Sequence, residues 1–97
     1  MMLHTLNSAP LSSAIQDCCA LLNKEDTVIL FGEGVYCALA GSASSEALSG
    51  SGAAIYALTA DVDAAGIVGA LGDQVTVIDY DDFVALSEKY PRQMAWY

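Results

Sequence analysis

Apolar and polar positions along this chain fall into blocks, and the blocks switch between strand-like and helical periods. Residues Thr27-Val28-Ile29-Leu30-Phe31 form an unbroken apolar run, the pattern of a strand covered on both faces. Gly32-Glu33-Gly34 permits a tight turn. The run Val35-Tyr36-Cys37-Ala38-Leu39-Ala40 then predicts a helix closing at Gly41 as its C′ residue. Ahead of this unit, residues 1–6 predict a first strand, broken by Asn7-Ser8-Ala9-Pro10. A helix follows from about Leu11 or Ser13 to Asn23, with Ser13 and Gln16 at capping-box spacing. On a helical wheel Leu11, Ala14, Ile15, Cys18, Leu21 and Leu22 share one side.

Small polar residues dominate positions 42–52, which predicts an exposed loop with at most one helical turn near residues 45–48. Residues 53–58 predict a third strand. Asp61 is placed to cap a short helix through Ala65, kept short by Gly66, Gly69 and Gly72. Residues 74–80 predict a fourth strand. Asp81 or Asp82 opens a last helix with Phe83, Leu86 and Tyr90 inward and Pro91 at its end. The order β-α-β-α-β-α-β-α predicts one α/β domain over residues 1–97, with an open, mostly parallel sheet, flanking helices and right-handed crossovers. The segment Arg92-Gln93-Met94-Ala95-Trp96-Tyr97 is unusually aromatic. It either docks on its own sheet or anchors in a partner, which makes Met94, Trp96 and Tyr97 interface candidates.

Composition sharpens this picture. With 97 residues, 55% of them hydrophobic and 15% charged, the chain is rich in apolar surface for so small a unit, which predicts burial against other subunits. Twelve acids against three bases give a net charge of −9. Lys24, Lys89 and Arg92 cannot form the basic footprint that phosphates require, so direct nucleic-acid binding is not expected. No apolar run approaches the roughly 20 residues of a membrane span. The opening Met1-Met2-Leu3-His4 lacks a basic region ahead of a long apolar one, and three cysteines imply no disulfide framework. A cytoplasmic location is expected.

Few residues carry chemistry. Adjacent Cys18-Cys19 lack metal-ligand spacing, so no metal or cofactor is expected. Gly32-x-Gly34 has Cys37 where a dinucleotide fingerprint needs its third glycine, and reads as a structural turn. A small-ligand crevice beside Gly32-Glu33-Gly34 is the remotest reading. His4 lies within the first strand and reads as structural. Cys18 and Cys37 fall among apolar neighbours and read as core. Cys19 is rotated about 100° from Cys18, to the edge of the apolar stripe, and is the thiol expected to meet solvent or another chain. A persulfide carrier must form a thiolate and be reachable by a second thiol. Cys19 meets the second condition, while no nearby cation supports the first, so packing at the helix edge is the plainer reading.

Taken in order, several segments resemble the DsrH/TusB family of sulfur-relay subunits. They are Leu3-His4-Thr5-Leu6-Asn7 with Ser8-Ala9-Pro10; Gly34-Val35-Tyr36-Cys37-Ala38-Leu39-Ala40-Gly41; Ile55-Tyr56-Ala57-Leu58 with Asp61-Val62; Asp79-Tyr80-x-Asp82-Phe83-Val84-x-Leu86; and Tyr90-Pro91-x-Gln93-Met94-Ala95-Trp96. The resemblance implies a DsrE/F/H-like fold. It also implies a heterohexamer with TusC/DsrF-like and TusD/DsrE-like subunits, two copies of each, which passes persulfide sulfur to a TusE/DsrC-like carrier. The closing segment looks closer to TusB, implying support of tRNA wobble-uridine 2-thiolation in a mainly assembling, non-catalytic role. The alternative is a DsrH-like subunit of sulfur oxidation, with Cys19 or Cys18 matching the first-helix cysteine that some members carry as sulfur acceptor. Ala65 stands where the family commonly has Arg, so any partner contact made by that Arg is in doubt here.

Overall fold

A computed structural model describes residues 1–10 and 12–96. Five parallel strands make one sheet in the order β4-β3-β2-β1-β5: β1 Leu3–Leu6, β2 Thr27–Leu30, β3 Ala54–Leu58, β4 Val75–Ile78 and β5 Gln93–Trp96. Four α-helices connect or flank them: α1 Ser13–Leu21, α2 Ala43–Gly50, α3 Thr59–Ala65 and α4 Tyr80–Lys89. The open parallel α/β fold expected from the sequence is what forms, with one strand more. Chain order steps outward from β1 to β4 and then jumps back to place β5 outside β1. With crossovers of one hand, such a reversal sends α4 to the face opposite the first three helices.

The two faces differ in cover. Leu6, Val28, Leu30, Ile55 and Ala57 face α1, α2 and α3 and pack with Ala14, Ile15, Leu48 and Val62 into the main core. On the other face Leu3 and Ile29 are fully buried, yet among the described residues α4 is the one helix there and none of its own residues is buried. Tyr90 closes its far end through a hydrogen bond with Thr27 Oγ1. All four β2 residues are buried, as their unbroken apolar run requires of a central parallel strand.

Several local expectations need correction. The helix expected up to Gly41 is a 3₁₀ segment, Gly32–Ala38, after which Leu39 turns extended and bridges to Leu71. Gly32 enters with φ +53° and Gly34 lies against β1. A Cβ on Gly34 would collide with the Leu6 carbonyl, so close strand approach, not a ligand, explains this glycine. The expected loop at residues 42–52 contains α2. Ser42 Oγ accepts from the Ser45 N–H at 3.2 Å as N-cap, and buried Leu48 anchors the helix to the core.

Ser12, not Ser13, precedes α1, with no capping hydrogen bond from its side chain, and the Ser13–Gln16 box does not form. Leu21, expected on the inner stripe, is 58% exposed because α1 ends there before another turn can cover it. Asp61 lies inside the first turn of α3 rather than capping it, and its carboxylate accepts from the Gly32 N–H at 2.9 Å. Asp79, ahead of the two acids expected to open α4, is the true cap and accepts from Asp82 N–H at 2.8 Å. Leu11, placed on the apolar stripe, lies outside the described residues.

Candidate functional site

The three thiols sit around α1 and the 3₁₀ segment, under unequal cover. Cys18 and Cys37 are fully buried, whereas Cys19 is half-buried. Helical rotation produces this difference, since adjacent residues point about 100° apart. Cys19 lines a groove of about 440 Å³ between α1 and α2, whose walls include Ile15, Gln16, Ala43, Ser44 and Ala47. Cys37 donates from its thiol to the Ser8 carbonyl at 3.7 Å, and Ser44 Oγ donates to the Cys37 carbonyl.

These surroundings hold the thiols protonated. Burial pushes Cys18 up to about 12, helped by the nearby charges of Cys19, Cys37 and Asp26. Burial and Cys19 likewise push Cys37 up to about 11, with Ser44 hydrogen bonding opposing. Burial raises Cys19 as well. An activated thiol needs a cation, a helix N-terminus or a metal to pull it the other way. No group of three or more His, Cys, Asp or Glu residues suited to a metal ion occurs among the described residues.

A second cluster, of polar side chains, joins β1, the entry to β2 and β5, and little in the sequence points to it. His4 is 1% exposed and Asp26 4%, and they bond through Nε2 and Oδ2 at 3.0 Å. Trp96 Nε1 donates to His4 Nδ1 at 3.0 Å. Because an indole N–H can only donate, Nδ1 must accept, which assigns the proton to Nε2 and directs it at Asp26. The two rings lie within 15° of parallel with centroids 6.2 Å apart, joined edge to edge by that bond rather than stacked. Asp26 also accepts from the Met2 N–H at 2.9 Å and the Asn23 N–H at 3.3 Å. Burial alone would raise this carboxyl, but the hydrogen bonds from His4, Asn23 and Met2 hold it below its ordinary value.

The expectation that His4 is structural agrees with this network. The tail's aromatic end is likewise spoken for: Trp96 turns inward to His4, while Met94, on the exposed outer strand, is 38% exposed. Tyr97, the third interface candidate, lies outside the described residues. Asp26 reaches the start of β1 only through the parallel pairing of Leu3 with Thr27, a register that no sequence pattern announces.

Fold and site together define a small open α/β module with an all-parallel sheet, shielded thiols and a polar clamp on its outer strand. Residues 7–93 match the family described as DsrH like protein. Protein TusB of Escherichia coli K12 is 38% identical over 95 residues, covering 98% of this chain and 100% of that protein. Protein TusB of Salmonella enteritidis PT4 is 40% identical with the same coverage, and that of Erwinia tasmaniensis 39%. The chain belongs to the DsrH-like family. The crystal structure of the E. coli ychN protein superposes with a TM-score of 0.79 over 97% of each chain at 16% identity, which shows the shared fold.

Proposed function

We propose that this chain is a subunit of a sulfur-relay complex, acting mainly in assembly. The observation that carries the reading is its end-to-end relationship to proteins named TusB. It assembles with TusC/DsrF-like and TusD/DsrE-like subunits, two copies of each, works in the cytoplasm, and supports delivery of sulfur through a TusE/DsrC-like carrier to the wobble uridine of tRNA. The net charge of −9 agrees with another component touching the RNA. Protonated, shielded thiols favour assembly over sulfur carriage. Met94 and Tyr97 remain the proposed partner-facing residues, while Trp96 keeps its indole on His4.

Co-purification of tagged protein from its own host, with native mass spectrometry of what is captured, tests the reading. Two homologous small chains in equal copy number are expected. A lone monomer would overturn it. The second reading, sulfur carriage in sulfur oxidation, is favoured by one observation, the place of Cys19 on an open groove. Equal persulfide trapping by wild type and Cys19→Ser would remove it.

A further inference from the structure

The C-terminal ends of the strands gather carboxylates around an aromatic surface. Phe31, just past β2, meets Phe83 of α4 with ring centroids 6.4 Å apart, and Tyr80 meets Phe83 edge-on at 6.0 Å. Tyr80 is 68% exposed, and Val84, one turn further along α4, is exposed beside it. Asp79, Asp81 and Asp82 surround the start of this helix. Asp61 joins them from α3, tied to Gly32 next to Phe31 and brought near β4 by the bond from Thr59 Oγ1 to the Ile78 carbonyl. Exposed Glu33 follows on the same rim. Among the described residues no Lys or Arg pairs with an acid, the one contact of that kind being the hydrogen bond between His4 and Asp26, so none of these five carboxylates is neutralised.

We propose that the exposed start of α4, with Tyr80, Phe83, Phe31 and Val84 at its centre and Glu33, Asp61, Asp79, Asp81 and Asp82 around it, docks a segment of a partner subunit bearing Arg or Lys beside apolar side chains. Charge complementarity selects this occupant. Five carboxylates without a Lys or Arg partner, two of them held by backbone N–H groups, repel an acidic surface such as a second copy of this chain, and attract cations. The aromatic faces add apolar area and a seat for a guanidinium or ammonium. This inference rests on the relay-subunit reading only for who supplies the segment.

The test uses the intact chain and a fluorescein-labelled peptide alternating arginine and leucine, with a glutamate–leucine peptide as control, followed by fluorescence anisotropy. Saturable, salt-sensitive binding of the basic peptide is expected. The triple variant Glu33→Gln, Asp81→Asn, Asp82→Asn should weaken it about tenfold, the size expected for three exposed charge pairs. A remote triple with the same charge change, Asp17→Asn, Glu46→Gln, Asp73→Asn, should change it by less than about twofold. Tyr80→Ala should weaken it without altering charge, with circular dichroism confirming the fold.

Equal loss in both triples, or no loss in either, would overturn the inference, since attraction would then follow net charge or lie elsewhere. A wild-type dimer that the first triple dissolves would also overturn it, by assigning the surface to a second copy. If tagged wild type captures homologous partners and the first triple captures them equally well, the inference falls while the relay reading stands. If the peptide behaves as expected but no homologous partner is captured, the relay reading falls and the surface stands.

Discussion

Beside the backbone ladder of β5 to β1, Trp96 adds one side-chain bond to His4, and the loss of that bond can be measured. Trp96→Phe keeps an aromatic ring but leaves His4 Nδ1, buried at 1% exposure, without its donor. A loss of about 1–3 kcal/mol is expected for such an orphaned acceptor, read as a lower urea midpoint at unchanged slope. The thiols give a second prediction. Iodoacetamide should label Cys19 first in the native chain, with Cys18 and Cys37 reacting only after unfolding, as peptide mass spectrometry can show. Exposure sets this order, since all three thiols are held protonated by burial. At this scale the sequence was informative: helical rotation alone separated Cys19 from Cys18. It could not reveal the bond between His4 and Trp96, whose partners are 92 positions apart.

Single elements show where pattern reading succeeds and fails. The buried run of β2 is legible because a central parallel strand is covered on both faces and so shows no apolar–polar alternation. Ser, Gly and Ala carry weak local preferences, so the sequence predicts only a loop with one helical turn at residues 45–48 where α2 forms, and tertiary anchoring through Leu48 with the Ser42 cap extends it. Ser42→Ala should therefore cost about 1 kcal/mol, seen as a lowered thermal midpoint. Gly34→Ala should cost more, above about 2 kcal/mol, because its methyl meets the Leu6 carbonyl rather than a side chain able to move. The tail forms β5 beside β1, which is the docking on its own sheet that the sequence left open against anchoring in a partner.

Titration reaches the whole molecule. Asp26 is depressed in the folded chain from an ordinary value of 3.8, so its contribution is present above about pH 4 and fades as pH falls through the folded value. Cys18 and Cys37 are raised from 9.0 to about 12 and about 11. Folding keeps both protonated where the unfolded chain ionises, so their contribution is full below pH 9 and is lost as pH rises towards 11 and 12. Urea midpoints across pH should fall at both extremes, and Cys37→Ala should flatten the alkaline side. The carboxylate ring around Tyr80 was present in the sequence as separate acids. Only the fold, by ending three parallel strands on one rim, assembles them.

The position of β5 also has a meaning in time. Synthesis runs from β1 towards β5, yet β5 is the strand that shields the outer side of β1. Throughout translation of the four earlier strands, a nascent chain therefore presents β1 as an unfinished edge, with its imidazole still awaiting the indole. Closure of this contact, the most distant in the sheet, belongs late in folding. Until then the growing chain carries an unpaired strand edge along β1, the kind of surface that other chains can pair with.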